Sequence, residues 1–119
     1  MIKRNFAAIG ICVLAQFTWA GPPEVIGVEA EEINGTWRFS VTLNHTDEGW
    51  DHYADGWGVY LEDGTELGYR VLAHPHVNEM PFTRSLSDVA IPDGTTVVLI
   101  RPRDSVHGVG ENYIFELPK

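Results

Sequence analysis

Short segments of alternating apolar and polar residues, separated by turn dipeptides, constrain this chain more than any other feature. In the clearest segment, Trp37, Phe39, Val41 and Leu43 alternate with polar residues, which is the period of a strand with one buried face. Turn-forming dipeptides recur between such segments: Asn34-Gly35, Asp63-Gly64 and Asp93-Gly94. After residue 20, no segment carries a sustained 3.6-residue apolar stripe. The pattern therefore predicts an all-β domain.

The spacing of these segments predicts seven short strands. They cover residues 25–32, 37–44, about 57–61, 67–73, 82–91, 96–101 and 113–117. Seven strands with turns every ten residues or so are typical of a two-sheet antiparallel sandwich. The residues that share the inward face within their strands form the predicted core, which comprises Trp37, Phe39, Val41, Trp57, Val59, Leu61, Val98, Ile100, Tyr113 and Phe115.

The first twenty residues have the organisation of an export signal. Two basic residues precede the apolar stretch 6–15, and Ala20 is a small residue at the expected cleavage point. We interpret residues 1–20 as a cleaved signal peptide and residues 21–119 as one β-sandwich domain, periplasmic or extracellular. The apolar stretch is shorter than the about 20 residues that span a membrane, so we expect no membrane insertion after cleavage. Cys12 follows Ile11 rather than a small residue, and we do not expect it to carry a lipid.

The charge of the chain restricts its partners. The net charge is −9, and removal of Lys3 and Arg4 leaves six basic and 17 acidic residues, a net charge of −11. Such a surface repels nucleic-acid phosphates and anionic lipids, so neither is an expected partner, whereas cations or a basic protein suit it. Cys12 is the single cysteine. The domain therefore has no disulfide to stabilise it and depends on its core.

The end of the chain resembles a known fold family. The segment 100–105, followed by Gly108 and Gly110, is similar to the sixth strand and following loop of fibronectin type III domains. This resemblance implies an immunoglobulin-like sandwich. The chain also resembles an uncharacterised group of small exported bacterial proteins through its segments 49–55 and 74–76. That second resemblance implies a fold class and no activity.

All five histidines lie in three predicted loops, 44–56, 74–81 and 104–111. If each strand reverses direction, these loops lie at the same end of the sandwich. Histidine is the commonest ligand of transition metals, and in extended chain two residues in an i, i+2 relation point to one side. We predict a copper or zinc site formed by His74, His76, His52 and His107. Further ligands or loop contacts are expected among His45, Asp51, Asp55, Met80, Asp104, Trp50 and Tyr53.

One other interpretation of this loop end stays open. Histidines and carboxylates can hydrogen-bond to one another and hold the loops in place without any ligand. In that case Trp50 and Tyr53 can anchor a protein or glycan partner, because exposed aromatic residues are enriched at interfaces. Under this interpretation the protein is an immunoglobulin-like binding module, and its histidines are structural.

Calcium binding and catalysis are less favoured. The carboxylates of the segment 47–55 lack the regular spacing of a calcium loop. Asp104, Ser105 and His107 are the residue types of a hydrolase triad, but they are near neighbours in sequence, which seldom converge into one. The sequence contains no nucleophile elbow, phosphate loop or dinucleotide fingerprint. We therefore expect a binding protein rather than an enzyme.

Overall fold

The computed structural model describes residues 21–119, which form eight strands in two antiparallel sheets. The strands are β1 (Glu24–Ile33), β2 (Thr36–Asn44), β3 (Ala54–Tyr60), β4 (Glu66–Val71), β5 (Phe82–Val89), β6 (Val97–Asp104), β7 (Gly108–Val109) and β8 (Tyr113–Glu116). This part of the chain contains no helix that is long and apolar enough to cross a membrane. The predicted signal peptide, residues 1–20, lies outside the described residues.

The prediction of an all-β domain with two antiparallel sheets is confirmed. One sheet has the strand order β1-β2-β5, and the other has β4-β3-β6, with β7 and β8 both paired to β6. Val109 of β7 pairs with Arg103 of β6, and Tyr113 of β8 pairs with Ile100 of β6. The two strands therefore run along successive parts of β6, on the edge opposite β3. The two-residue β7 is additional to the seven predicted strands, because it is too short to show an alternating pattern.

Two local features of the chain set the strand geometry. The β1–β2 hairpin closes at Asn34 and Gly35, whose φ angles of 54° and 89° match the twist of paired strands. Strand β6 continues past the predicted end at residue 101, through Pro102 to Asp104. This extension brings Asp104 to the end of the sandwich where the long loops lie.

The core lies between the two sheets and contains most of the predicted residues. Those that are fully buried are Phe39, Val41, Trp57, Val59, Val98 and Ile100. Trp37, Tyr113 and Phe115 are half-buried and pack against them. The Phe39 and Phe115 rings, from opposite sheets, meet edge to face with centroids 6.2 Å apart. The prediction for Leu61 is wrong: it follows the end of β3 and is outside the core cluster, because the register shifts between Val59 and Tyr60.

Candidate metal centre

Two strands continue their inward-facing rows beyond the apolar core into polar residues. In β2 the buried positions Phe39, Val41 and Leu43 are followed, at the same two-residue period, by buried His45 and Asp47. In β6, buried Val98, Ile100 and Pro102 are followed by buried Asp104. The end of the core is therefore polar, and it contains both histidine and carboxylate side chains.

The three histidine-bearing loops meet at this polar end, as the sequence predicts. His45, directly after β2, is hydrogen-bonded through Nε2 to Asp104 Oδ2 at the end of β6, at 3.0 Å. The loop between β4 and β5 is joined to them because the backbone N–H of His76 donates to Asp47 Oδ2, at 2.7 Å. The backbone N–H of Ser105 donates to the carbonyl of Tyr53, which connects the β6–β7 turn to the β2–β3 loop.

One carboxylate oxygen lies at the centre of the histidine cluster. Asp104 Oδ2 is 3.0 Å from His45 Nε2, 2.8 Å from His52 Nε2 and 2.9 Å from His107 Nδ1. The other oxygen, Oδ1, accepts hydrogen bonds from the backbone N–H groups of Val106 and His107. The side chain of Asp104 is completely buried. Its carboxylate therefore orients three imidazoles from two loops while a tight turn orients the carboxylate itself.

Two further carboxylates contact the ring nitrogens of His45 and His52 that face away from Asp104. His45 Nδ1 is 2.6 Å from Asp47 Oδ1, and His52 Nδ1 is 2.8 Å from Glu48 Oε1. Asp47 Oδ1 also accepts a hydrogen bond from the backbone N–H of Ala54 at 3.1 Å, which orients this carboxylate. Histidines that bind metals commonly donate their other ring N–H to a carboxylate in this way, which sets the tautomer and the ring orientation.

The pKa values of Asp104 and His52 are displaced toward the charged forms of these two groups. Burial alone would raise the pKa of Asp104, but hydrogen bonds from His107, His52 and two backbone N–H groups hold it well below its usual range. Burial alone would lower the pKa of His52, but its hydrogen bonds to Asp104 and Glu48 outweigh that effect and raise it. Without a metal, the cluster therefore favours an Asp104 carboxylate next to a protonated His52.

Three residues of the cluster could hold a metal ion. One ligand atom from each of His45, His52 and Asp104 lies within 4.8 Å of the other two. His107 is outside this group, although its Nδ1 is 2.9 Å from Asp104 Oδ2. In a tetrahedral zinc site, ligand atoms about 2.0 Å from the ion are roughly 3.3 Å from one another. The nitrogen–oxygen distances of 2.8–3.0 Å around Asp104 Oδ2 would thus need to widen by a few tenths of an ångström. Wider separations within the 4.8 Å group would need to close, and His107 would need to approach the other residues to be a fourth ligand. A divalent ion bound there would take the place of the protons between the imidazoles and the carboxylate.

The structure brings together some of the predicted ligands and not others. His52 and His107 lie in the cluster, with ring centroids 5.0 Å apart, as do His45 and Asp104 from the wider set. His74 and His76 form a separate pair with centroids 4.7 Å apart. Within residues 21–119, this pair belongs to no group of three close histidine, cysteine or carboxylate ligand atoms.

The environment of the His74–His76 pair is different from that of the cluster. The His76 ring is buried and stacks on Phe82 with centroids 4.1 Å apart, and its Nδ1 is 2.7 Å from Glu79 Oε1. His74 is exposed and makes a contact of 3.3 Å with the carbonyl of Pro75. His76 therefore packs as an aromatic residue over the end of β5, with one polar contact to an exposed carboxylate.

The remaining expected contact residues make no hydrogen bond to the cluster imidazoles among residues 21–119. Asp51 is exposed, Asp55 pairs with Arg103, and Met80 is half-buried against the core. The Trp50 side chain is 69% exposed and meets Tyr53 edge to face, with centroids 5.7 Å apart. Trp50 is therefore an exposed aromatic residue that packs on the half-buried Tyr53 in the same loop as His45 and His52.

The Ser105 hydroxyl also has a structural contact: its Oγ accepts a hydrogen bond from the backbone N–H of Tyr53, at 3.0 Å.

The sequence did not reveal that Asp47 and Glu48 are hydrogen-bond partners of the imidazoles. For Asp47 a signal was present, since it continues the inward period of β2 two steps beyond Leu43. Glu48 breaks that period and is recognisable only from the folded loop.

Comparison with known proteins gives one relative and no family. A protein of Halomicrobium mukohataei with the name "Putative lipoprotein" is 50% identical over 73 residues, which is 61% of this chain and 35% of the relative. The chain thus spans about a third of the length of that protein. No family model matches the chain, and no solved structure matches it.

Proposed function

We propose that this protein binds one divalent transition metal ion, copper or zinc, through His45, His52, His107 and Asp104. The observation that carries the proposal is the convergence of three imidazole nitrogens within 3.0 Å of one buried carboxylate oxygen. The carboxylates that hold the other ring nitrogens of His45 and His52 add the outer hydrogen bonds typical of metal-bound histidine. The net charge of −11 outside the predicted signal peptide supplies a field that attracts cations.

The donor set favours divalent ions. Imidazole with carboxylate suits zinc, copper(II) or nickel, whereas thiolates and thioethers select copper(I). Three imidazoles and one carboxylate provide four protein ligands, the number found in closed zinc sites rather than in catalytic sites with an open position. We therefore infer a role in holding a metal, and we propose that the protein is not an enzyme.

We further propose an immunoglobulin or fibronectin type III-like classification for the fold. Its support is the strand order β1-β2-β5 in one sheet and β4-β3-β6-β8 in the other, together with the resemblance of residues 100–110 to the sixth strand and loop of such domains. We also propose that the protein is located in the cell envelope or outside the cell. The signal-like residues 1–20 and the name of the lipoprotein relative support it.

A second candidate function is docking of a protein or glycan, with the histidine cluster as a purely structural network. The observation that favours it is the exposure of Trp50, packed against Tyr53 on the loop surface. Without a metal, every cluster imidazole already has a carboxylate partner. Such a network needs no ion to satisfy its polar groups.

Titration calorimetry with Zn²⁺ and Cu²⁺ separates these candidates. Protein purified without a histidine tag should bind one ion, and metal analysis should give the same stoichiometry. The Asp104→Asn variant, which removes the central charge, should lose this site. His74→Ala is the matched control, because His74 is an exposed histidine outside the cluster, and it should bind like the wild type. Equal weak binding by the wild type and Asp104→Asn would leave the structural network as the better account.

The docking candidate has its own test. A partner that binds through Trp50 should still bind in chelator, and Trp50→Ala should weaken it more than any histidine substitution, because exposed aromatic anchors dominate such interfaces. Loss of partner binding in chelator, together with a stronger effect of His52→Gln, would instead connect the partner to the metal.

A further inference from the structure

The four proposed ligands differ sharply in their access to solvent. The side chains of His45 and Asp104 are 1% and 0% exposed and that of His52 is 9% exposed, whereas the side chain of His107 is 37% exposed. Three ligands thus belong to the end of the core and one belongs to the surface. The only accessible edge of this ligand set is at His107, in the turn between β6 and β7.

His107 is also the ligand with the weakest orientation. His45 and His52 each have a carboxylate on the ring nitrogen that faces away from Asp104, which holds both rings in place. The Nε2 atom of His107 has no hydrogen-bond partner among residues 21–119, and its Nδ1 contact to Asp104 is its one side-chain hydrogen bond there. Exposed side chains change rotamer in picoseconds to nanoseconds, whereas buried and doubly anchored rings do not move so freely.

The backbone at His107 is held independently of its ring. The N–H groups of Val106 and His107 donate to Asp104 Oδ1, and Gly108, with φ of 77°, pairs with Asp104 in the β6–β7 ladder. Rotation of the His107 side chain therefore leaves the turn and the Asp104 carboxylate in place. The ring can leave the site without unfolding any strand.

We propose that His107 is the exchangeable ligand of the centre, through which the metal enters and leaves, so that the ion is held for transfer rather than as a permanent structural element. This inference rests on the proposed metal function. When the His107 ring rotates outward, the ion keeps His45, His52 and Asp104 and gains a coordination position that faces solvent. An incoming neutral nitrogen donor, such as the imidazole of another protein or of a small chelator, can occupy that position before the ion departs. Catalytic zinc sites have three protein ligands and a fourth position that admits water or substrate. In this centre the corresponding position would admit the incoming donor.

The test uses Co²⁺, whose visible spectrum reports the number and type of its ligands, bound to the wild type and to His107→Ala. The variant should release the ion to a chelator at least about tenfold faster, since loss of a direct ligand should exceed the roughly 10- to 100-fold cost of losing an outer hydrogen-bond partner. Millimolar free imidazole should change the Co²⁺ spectrum of His107→Ala and slow its release, by filling the vacated position. The wild-type spectrum should respond only at higher imidazole concentrations, because the tethered His107 ring competes for the same position. His74→Ala should release the ion at the wild-type rate.

The outcomes distinguish a failure of this inference from a failure of the proposed metal function. If the wild type binds no Co²⁺, Zn²⁺ or Cu²⁺, the proposed function fails, and the inference fails with it. If the wild type binds metal but His107→Ala releases it at the wild-type rate and ignores imidazole, the centre is real and His107 is not its exchangeable ligand. Because His107 is exposed and its backbone contacts do not involve the ring, the variant should fold normally, which circular dichroism and urea unfolding check.

Discussion

His45 Nε2 lies 3.0 Å from Asp104 Oδ2, although 59 residues separate the two in sequence. This contact joins the residue after β2, in one sheet, to the last residue of β6, in the other. Both side chains are almost completely buried, so the pair closes the end of the core where the apolar residues stop. In a domain without a disulfide, it is a direct polar link between the sheets.

Replacing Asp104 by Asn should destabilise the metal-free protein by about 3 to 5 kcal/mol. The substitution removes one member of a buried ionic network and leaves the imidazoles around it without their shared partner. Urea unfolding in chelator measures the effect. The control, Asp51→Asn, alters an exposed carboxylate and should stay within about 0.5 kcal/mol of the wild type. A change as small for Asp104→Asn would contradict the network.

The free energy of unfolding in chelator should fall on both sides of a mildly acidic window. The folded pKa of Asp104 is lowered, so its contribution is present above the unfolded value of about 3.9 and is lost as the pH falls through the folded pKa. The folded pKa of His52 is raised, so its contribution is complete below about 6.5 and is lost as the pH rises through the folded pKa. Urea midpoints between pH 3 and 9 test this, and His52→Gln should flatten the upper limb.

With metal bound, the free energy of unfolding should rise with pH in the range where the metal-free protein loses stability. Ligand imidazoles must be neutral, so binding strengthens as the pH rises through the folded pKa of His52, which is raised above the usual value of about 6.5. At a free metal concentration of 100 times the Kd, occupancy adds about 2.7 kcal/mol, which corresponds to a Tm increase of roughly 10–20 °C for a domain of this size. Scanning calorimetry with Zn²⁺ at pH 7.5 and pH 5 measures it. A shift of equal size at both pH values would exclude histidine as the main ligand type.

The outer carboxylate Asp47 should matter for metal affinity although it is not a ligand. Asp47→Asn weakens the acceptor for His45 Nδ1–H, and loss of such partners costs about 10- to 100-fold in affinity. Glu79→Gln is the matched control, because Glu79 contacts the ring of His76 outside the cluster. Calorimetric titration of both variants should show a weaker site only for Asp47→Asn. Equal affinities would mean that His45 does not bind the ion through Nε2.

The exported form should begin at Gly21. Residues 1–20 have the charge pattern, apolar stretch and small terminal residue that signal peptidase recognises. Intact-mass spectrometry of the protein from its native cell envelope or medium tests this, and Ala20→Arg should block cleavage. A mass that retains Cys12 with an attached lipid would instead show that the chain is a lipoprotein, the type of protein that the name of its relative gives.

The sequence alone predicted seven of the eight strands, the antiparallel class of the sheets and the end of the domain at which the histidine-bearing loops meet. Alternation in segments such as 37–43 reflects a backbone period of two, and Asn34-Gly35 encodes a tight hairpin by its tolerance of positive φ. Both are local properties, readable without neighbours. The convergence of the three loops followed from strand reversal alone.

Only the tertiary structure decided which histidines share a point in space. The His74-Pro75-His76 motif drew attention because its spacing is local, yet His76 packs on Phe82 and this pair stands apart from the cluster. His45, His52 and His107 meet because Asp104 is buried where two sheets end, a position set by the packing of distant strands. Spacing along a chain limits which ligands can be neighbours. The direction of each side chain, and hence the composition of the site, depends on contacts made across the whole fold.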